Sequence, residues 1–319
     1  MAATENLDVI VLGSAMVEIT PAKMGQALAD VDTMVPLPSG AAANFAAVLA
    51  SLGVRTALIS RVGEDELGQW LTERLAQRGI VTDYVAPAPG QRTPVSFAWM
   101  DRQGAKTFYF YRFPGFSDPM ATLRPGEITP DQLQGARIFD FTEATVRNEP
   151  LRSAAFDVAR LAREAGLQVC YALNYRPSAW HDQTPEQIAC VQREACSRAD
   201  IVLMNREEAL HVTGCSVPAQ AAREVSGLGP RLVVITAGDE GSLLLADGEL
   251  EQIPAHPVEV VYDIGAGDAF HAGLLAALLT GMSPAQAARF ASEAAALRIS
   301  RGVTEANPSY DEVARLMQQ

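Results

Sequence analysis

Residues Asp263-Ile264-Gly265-Ala266-Gly267-Asp268-Ala269-Phe270 stand directly before an apolar run that reads as a helix. Gly265 and Gly267 allow a sharp turn and let backbone N–H groups come close to a ligand. The helix behind them offers unpaired N–H groups and the positive end of its dipole. Such a turn can hold an anion, a phosphoryl group in particular. Asp268 sits at its edge, where a carboxylate can accept a proton from an attacking hydroxyl. The same residues also fit a glycine turn with Asp268 as a plain helix N-cap, and spacing alone leaves both readings open. A dinucleotide turn of the GxGxxG type is disfavoured, because Phe270 stands where the last glycine would be.

The histidines offer less. His181 and His211 read as surface or loop residues, since neither has a second ligand at helical spacing. His271 follows Asp268 by one helical turn and could tune it, although helix packing is the simpler role. The aromatic tract Phe108–Phe113 reads as packing rather than as a stacking platform for bases.

These residues need a scaffold, and the rest of the chain supplies the pattern of one. Short β-branched runs alternate with Ala/Leu segments of helical period. The expected strands are Val9–Leu12, Thr56–Ser60, Ile138–Phe141, Gln168–Leu173, Ile201–Leu203, Leu232–Thr236 and Ser242–Leu245. The expected helices are Ala41–Ser51, Leu67–Gln77, Leu151–Glu164, Pro185–Ser197, Ala219–Ser226, Gly267–Leu279, Pro284–Ile299 and Tyr310–Met317. Continuous apolar strands between helices imply a parallel sheet covered on both faces, a three-layer α/β/α domain. Glu18–Ser39, rich in Pro and polar residues, breaks the pattern, and Thr93–Arg112 reads as a β-hairpin turning at Asp101–Gly104. Both read as strands projecting from the main sheet. The expectation is one domain over residues 1–319, with a β flap from segments near 15–39 and 93–113.

The chain has 319 residues, 48% of them hydrophobic, too many for a disordered protein and enough for a large core. Its 25 basic and 38 acidic residues leave a net charge of −13. That field repels nucleic acid and anionic membrane, so neither is an expected partner, and an anionic substrate requires a local cluster of Arg or Lys. Cys170, Cys190, Cys196 and Cys215 form no CxxC pair, which fits buried thiols in a reducing cytoplasm. The start of the chain carries no basic signal-peptide region, and the longest apolar run, Ala272–Leu279, is too short to cross a bilayer.

The Gly-Ala-Gly-Asp turn at 265–268 resembles the C-terminal signature of the PfkB, or ribokinase, family of carbohydrate kinases. Other segments follow in that family's order. Ser39-Gly40-Ala41-Ala42-Ala43-Asn44 resembles its Gly-Gly-x-x-x-Asn block, with Ser in the first place. Arg61-Val62-Gly63-Glu64-Asp65 is similar to the next block, and Asn205-Arg206-Glu207-Glu208 to its Asn-x-x-Glu motif. Thr236, Gly238 and Gly241 match its nucleotide-side Thr-x-Gly-x-x-Gly segment. The resemblance spans residues 8 to about 302 and implies a ribokinase-like, Rossmann-like fold. It implies transfer of a phosphoryl group from ATP to a sugar hydroxyl. Asp268 is then the general base, and the Gly265-Ala266-Gly267 backbone stabilises the moving phosphoryl group. ATP would lie along Asn205, Glu208, Thr236, Gly238 and Gly241. Asn205 and Glu208 would organise Mg²⁺, Glu208 through water. On their own, those two residues read first as a solvated helix start.

Gly13–Pro21 resembles the first strand of the 2-keto-3-deoxygluconate kinase and fructokinase branch, which makes Glu18 a partner for sugar hydroxyls. Gly40 and Asn44 would line the same sugar site. Asn174-Tyr175-Arg176 with Trp180, and Tyr109-Phe110-Tyr111-Arg112, are similar to segments of that branch which face the sugar acid. The resemblance therefore implies that Asn174, Arg176, Tyr111 and Arg112 bind substrate, the two arginines taking its carboxylate. The favoured substrate is 2-keto-3-deoxygluconate. Fructose, a ribokinase-like or nucleoside-kinase-like specificity, and a weakened sugar- or nucleotide-binding sensor are alternatives. Three places depart from the pattern. Tyr262 and Asp263 replace an Asp-Thr pair, which leaves activation by K⁺ open. Ala172 replaces an Asp, and Ser96 stands near a position where some relatives have a sugar-contacting Tyr. By analogy, the flap is expected to pack on a second flap in a homodimer.

Overall fold

The computed structural model describes residues 7–23, 25–100, 106–111, 118–180, 182–261, 265–302 and 307–318. Its centre is β1 (Val9–Leu12), whose residues are all buried. Val9 and Val11 join one apolar core, while Ile10 and Leu12 join another. That split is the period of two of a strand covered on both faces.

The chain continues through β2 (Met16–Pro21), β3 (Met34–Ser39), α1 (Ala41–Ser51), β4 (Thr56–Gly63), α2 (Glu66–Gln77) and β5 (Val85–Ala88). Next come β6 (Val95–Met100), β7 (Lys106–Tyr111), α3 (Pro130–Leu133), β8 (Ile138–Thr142), α4 (Leu151–Glu164) and β9 (Gln168–Ala172). The second half holds α5 (Pro185–Ser197), β10 (Ile201–Asn205), α6 (Arg206–Thr213), α7 (Pro218–Ser226) and β11 (Leu232–Thr236). It ends with β12 (Ser242–Ala246), β13 (Glu249–Ile253), α8 (Ala266–Leu279), α9 (Pro284–Ile299) and α10 (Tyr310–Leu316).

The main sheet has nine strands in the order β13-β12-β11-β10-β9-β8-β1-β4-β5. Strands from β11 to β5 are parallel, and β12 and β13 extend one edge antiparallel. Helices α1, α2, α8, α9 and α10 cover one face, and α4 to α7 the other. From β1 the chain first builds outward through β4 and β5, then returns to the opposite side at β8. Sheets of this kind bind ligands beyond the carboxyl ends of the strands, at that reversal.

A second, four-stranded sheet has the order β3-β2-β6-β7. Its β6–β7 hairpin pairs Val95 with Tyr111 and Met100 with Lys106, as the alternation around 93–112 predicts. The expected turn at Asp101–Gly104 lies outside the described residues. Among the described residues, no helix is long and apolar enough to cross a membrane.

Four elements escape the sequence pattern, the single turn α3 among them. The edge strand β5 contains Pro87, which has no N–H for a ladder and argues against a strand. In β13 charged residues face solvent at the other edge. Only eight residues long and largely polar, α6 shows a start signal but little period.

Candidate active site

The turn before α8 has Gly265 as its N-cap, with φ +89°, a left-handed conformation that glycine adopts without strain. Asp268 is therefore the third residue of the helix, not its cap, and its carboxylate lies where the helix dipole favours negative charge. A Cβ on Gly267 would meet nothing within 4 Å, so space stays open over the exposed N–H end. Asp268 itself is half-buried. Burial lifts its carboxyl to about 6, against the pull of His271, Arg176 and Arg298, while Asp140 adds to the rise. A carboxylate so poised can take a proton near neutral pH.

Loop 174–180 follows β9 and brings Arg176 into the electrostatic reach of Asp268. Two buried carboxylates hold its backbone. Glu208 accepts the N–H of Tyr175 on Oε1 at 2.8 Å, and the N–H of Asn205 on Oε2 at 2.8 Å. Asn205 Oδ1 in turn accepts the N–H of Glu208 at 2.9 Å, completing a capping box at the start of α6. Glu143, fully buried after β8, accepts the indole N–H of Trp180 and the Arg147 Nε–H at 2.8 Å. The backbone N–H of Arg176 reaches the same carboxylate. Burial pushes both Glu143 and Glu208 above the ordinary carboxylate range. Glu208 is thus a buried structural acceptor, where the residues alone also allowed a solvated helix start. Each of its oxygens keeps a lone pair, and with Asn205 the donors are all oxygen, a set that fits Mg²⁺ held partly through water.

The residues expected on the sugar side converge through Ser39. Its hydroxyl donates to Glu18 Oε2 at 3.4 Å and accepts from Asn44 Nδ2 at 3.5 Å. Burial raises the Glu18 carboxyl, and the Ser39 hydroxyl opposes that rise. Gly40 caps α1 at φ +111°, and a Cβ there would lie 2.4 Å from the Ser14 carbonyl oxygen. The turn between β3 and α1 therefore requires glycine. Ser96 lies across β2–β6 from Glu18 with its buried hydroxyl unsatisfied among the described residues.

On the other side, Asn205 and Thr236 are register partners at the ends of β10 and β11. Gly238 opens the turn after β11 and Gly241 closes it. Arg206 pairs with Glu240 of this turn through two 2.6 Å contacts. These residues line the same end of the sheet as Asp268, Arg176 and Glu208.

Tyr111 is the last residue of β7, paired with Val95. Arg112, Tyr262, Asp263 and His181 lie outside the described residues. Asn174 has φ +43° at the start of the loop. His211, expected as a surface or loop residue, is half-buried on α6: it stacks on Tyr175 with ring centroids 4.4 Å apart, and burial lowers its pKa. Sequence reasoning missed Glu143 and Tyr175. The available signal for Glu143 was an acid directly after a wholly buried strand, since such a carboxylate must find donors.

Comparison with known proteins bears on this geometry. The family model described as pfkB family carbohydrate kinase matches residues 6–309. A chloroplastic protein of Arabidopsis thaliana named "Probable fructokinase-6" is 31% identical over 317 residues, covering 96% of this chain and 81% of that protein. The 5-dehydro-2-deoxygluconokinase of Shouchella clausii is 27% identical over 320 residues, covering 99% and 97%. The crystal structure of a fructokinase with bound ATP from Xylella fastidiosa superposes with a TM-score of 0.83 at 25% identity, covering 97% and 98% of the two chains.

Proposed function

The chain belongs to the pfkB family of carbohydrate kinases, and we propose that it transfers the γ-phosphoryl group of ATP to a hydroxyl of a ketose or keto sugar acid, 2-keto-3-deoxygluconate foremost. The observation that carries this reading is Asp268, raised to about 6 near the N-terminus of α8, with Arg176 of the loop after β9 within its electrostatic reach.

In this mechanism the substrate hydroxyl lies between Glu18, Asn44 and Asp268. Asp268 takes its proton as the hydroxyl oxygen bonds to the γ-phosphorus, and the bond to the ADP oxygen breaks. The N–H groups of the 265–267 turn hold the transferring oxygens, while Arg176 offsets their charge. Asn205, Glu208, Thr236, Gly238 and Gly241 line the nucleotide side. Mg²⁺, organised by Asn205 and Glu208, supplies charge neutralisation on the phosphates. The bound ATP of the Xylella fastidiosa relative supports ATP as the donor. K⁺ activation has no support from the described residues.

Fructose is the second reading, favoured by the Arabidopsis relative's name. The keto sugar acid is preferred because Arg176 is exposed beside the base and provides local positive charge on a −13 chain. Phe108 and Phe110, exposed on one face of the edge strand β7, support a homodimer packed flap on flap. The four cysteines are free, Cys170 and Cys196 buried but Cys190 exposed and Cys215 half-buried where four buried thiols were expected, and they support a reducing, cytoplasmic setting.

The test is ADP release with ATP, Mg²⁺ and a panel of ketoses, aldoses, nucleosides and sugar acids. Turnover fastest on 2-keto-3-deoxygluconate is the expected result. Sugar binding with background ADP release throughout would replace the kinase by a sensor.

A further inference from the structure

Behind Asp268, away from the open end of the site, three polar side chains from three elements meet in the core. They are Asp140 of β8, Cys170 of β9 and His271 of α8. Asp140 and Cys170 are fully buried and His271 nearly so. His271 Nε2 lies 2.9 Å from Asp140 Oδ1 and 3.3 Å from Cys170 Sγ. Its ring stacks on Phe45 of α1, with centroids 4.0 Å apart and planes at 17°. One imidazole thus links the helix that carries Asp268 to two central strands and to the helix that carries Asn44.

A buried carboxylate is costly unless a cation or donors face it. Neither oxygen of Asp140 has an aligned N–H donor among the described residues, although the Cys170 thiol bonds to it. The His271 contact is close but poorly directed, so its attraction is chiefly electrostatic. Carboxylate, thiol and imidazole together could also be read as a metal centre. Ligands on a tetrahedral zinc with bonds of about 2.0–2.1 Å sit roughly 3.3 Å apart. The 2.9 Å separation is shorter than that and matches a direct acid–imidazole pair. Burial and Asp140 both push the Cys170 thiol well above its ordinary value, which keeps it protonated beside the acid–imidazole pair.

We infer that Asp140 and His271 form a buried couple that positions Asp268 and sets the charge under which it accepts the substrate proton, the two residues acting on it with opposite sign. His271 holds the first turns of α8 in register with β8 and α1, and so fixes where the base meets the hydroxyl. One turn along α8 from Asp268, it pulls the Asp268 carboxyl down and favours its ionised form, and Asp140 pushes it up. Arg176 from the loop after β9 and Arg298 from α9 also face Asp268 and favour its ionised form. Cys170 is the remaining titratable group at the couple. Both Asp140 and His271 are positioning residues, and their role rests on the reading of Asp268 as general base.

The experiment is the pH dependence of kcat and kcat/KM for the wild type and for His271→Gln, Asp140→Asn, the double variant and Asp268→Asn. Removing the positive neighbour should move the acidic limb to higher pH by roughly half a unit to one unit. Removing the negative one should move it to lower pH, and the double variant should lie between. Sugar KM should stay within about twofold of wild type while kcat falls, since a misplaced base weakens the transition state more than binding. If Asp140→Asn does not fold, His271→Gln and His271→Asn together carry the test, and both limbs must move to higher pH. Limbs that stay fixed, or that move the same way in His271→Gln and Asp140→Asn, overturn the inference while inactive Asp268→Asn preserves the base. Active Asp268→Asn removes the base reading itself. One equivalent of zinc retained by the wild type and lost from His271→Gln would replace the couple by a metal centre.

Discussion

The carboxylate of Glu208 holds the backbone N–H of Tyr175 at 2.8 Å, across 33 residues of sequence. That contact ties the start of α6 to the loop that presents Arg176. The same carboxylate takes the N–H of Asn205, so one side chain couples the nucleotide side of the site to the sugar side.

Replacing Glu208 tests that coupling. Glu208→Ala leaves the N–H groups of Tyr175 and Asn205 without their acceptor and should cost about 2–4 kcal/mol of stability, less than the sum of two charged hydrogen bonds at about 1.5–3 kcal/mol each because the desolvation cost of the buried carboxylate is relieved. Glu208→Gln keeps the shape but offers an NH₂ where an acceptor is needed, so one contact is lost. Its expected outcome is a smaller fall in Tm, with at least a tenfold loss of kcat as the Arg176 loop loosens. Thermal unfolding and steady-state kinetics on both variants check this. Full activity in Glu208→Gln would show that the loop does not depend on the carboxylate.

As the proposed base, Asp268 should dictate the pH profile. A base must be ionised to accept a proton, and this carboxyl is raised to about 6. Turnover should therefore fall as pH drops through about 6 and level off above about 7. Asp268→Asn should lose ~10²–10⁴ in kcat, with ATP affinity within about twofold of wild type. A pH series and nucleotide-binding titrations measure both. A flat wild-type profile between pH 5 and 7 would assign the proton to another group.

The sheet and the turn that carries Asp268 were legible because each rests on local pattern. Val9–Leu12 and Leu232–Thr236 announce buried strands by continuous apolar runs, and Gly265 to Asp268 announce a tight turn before a helix. Contacts that hold the site were less visible, because they join residues remote in sequence. Glu143 meets Trp180 across 37 positions, and no spacing rule connects an acid to an indole that far away. His211 looked like surface because α6 is short and polar, yet Tyr175 covers its ring. His271 offered a half-signal: its place one turn after Asp268 is local, but Asp140 and Cys170 come from distant strands.

Arg176 should decide between a sugar acid and a neutral ketose. It is exposed and close enough to Asp268 to bias its charge. Arg176→Ala should raise KM for 2-keto-3-deoxygluconate at least tenfold and for fructose no more than threefold, because a guanidinium–carboxylate pair contributes more than its bond to a hydroxyl. It should also move the acidic limb to higher pH, since a positive neighbour of Asp268 is gone. Equal KM effects on both sugars would remove carboxylate recognition from this residue.

Ser39 supplies the last test, in the place where the resemblance expects glycine. Its hydroxyl sits between Glu18 and Asn44, at 3.4 Å and 3.5 Å, long contacts that leave room for a sugar hydroxyl to compete. Ser39→Ala removes the one side-chain donor that opposes the burial-driven rise of Glu18. Glu18 should then hold its proton to higher pH and accept sugar hydroxyls less well near pH 6. Each lost hydrogen bond is worth about 0.5–1.5 kcal/mol, so sugar KM should rise roughly twofold to tenfold, more at pH 6 than at pH 8. ATP KM should not move, because Ser39 lies at the end of β3 on the sugar side. A sugar KM unchanged at both pH values would mean that substrate already displaces the Ser39 contact, leaving Glu18 and Asn44 to bind it unaided.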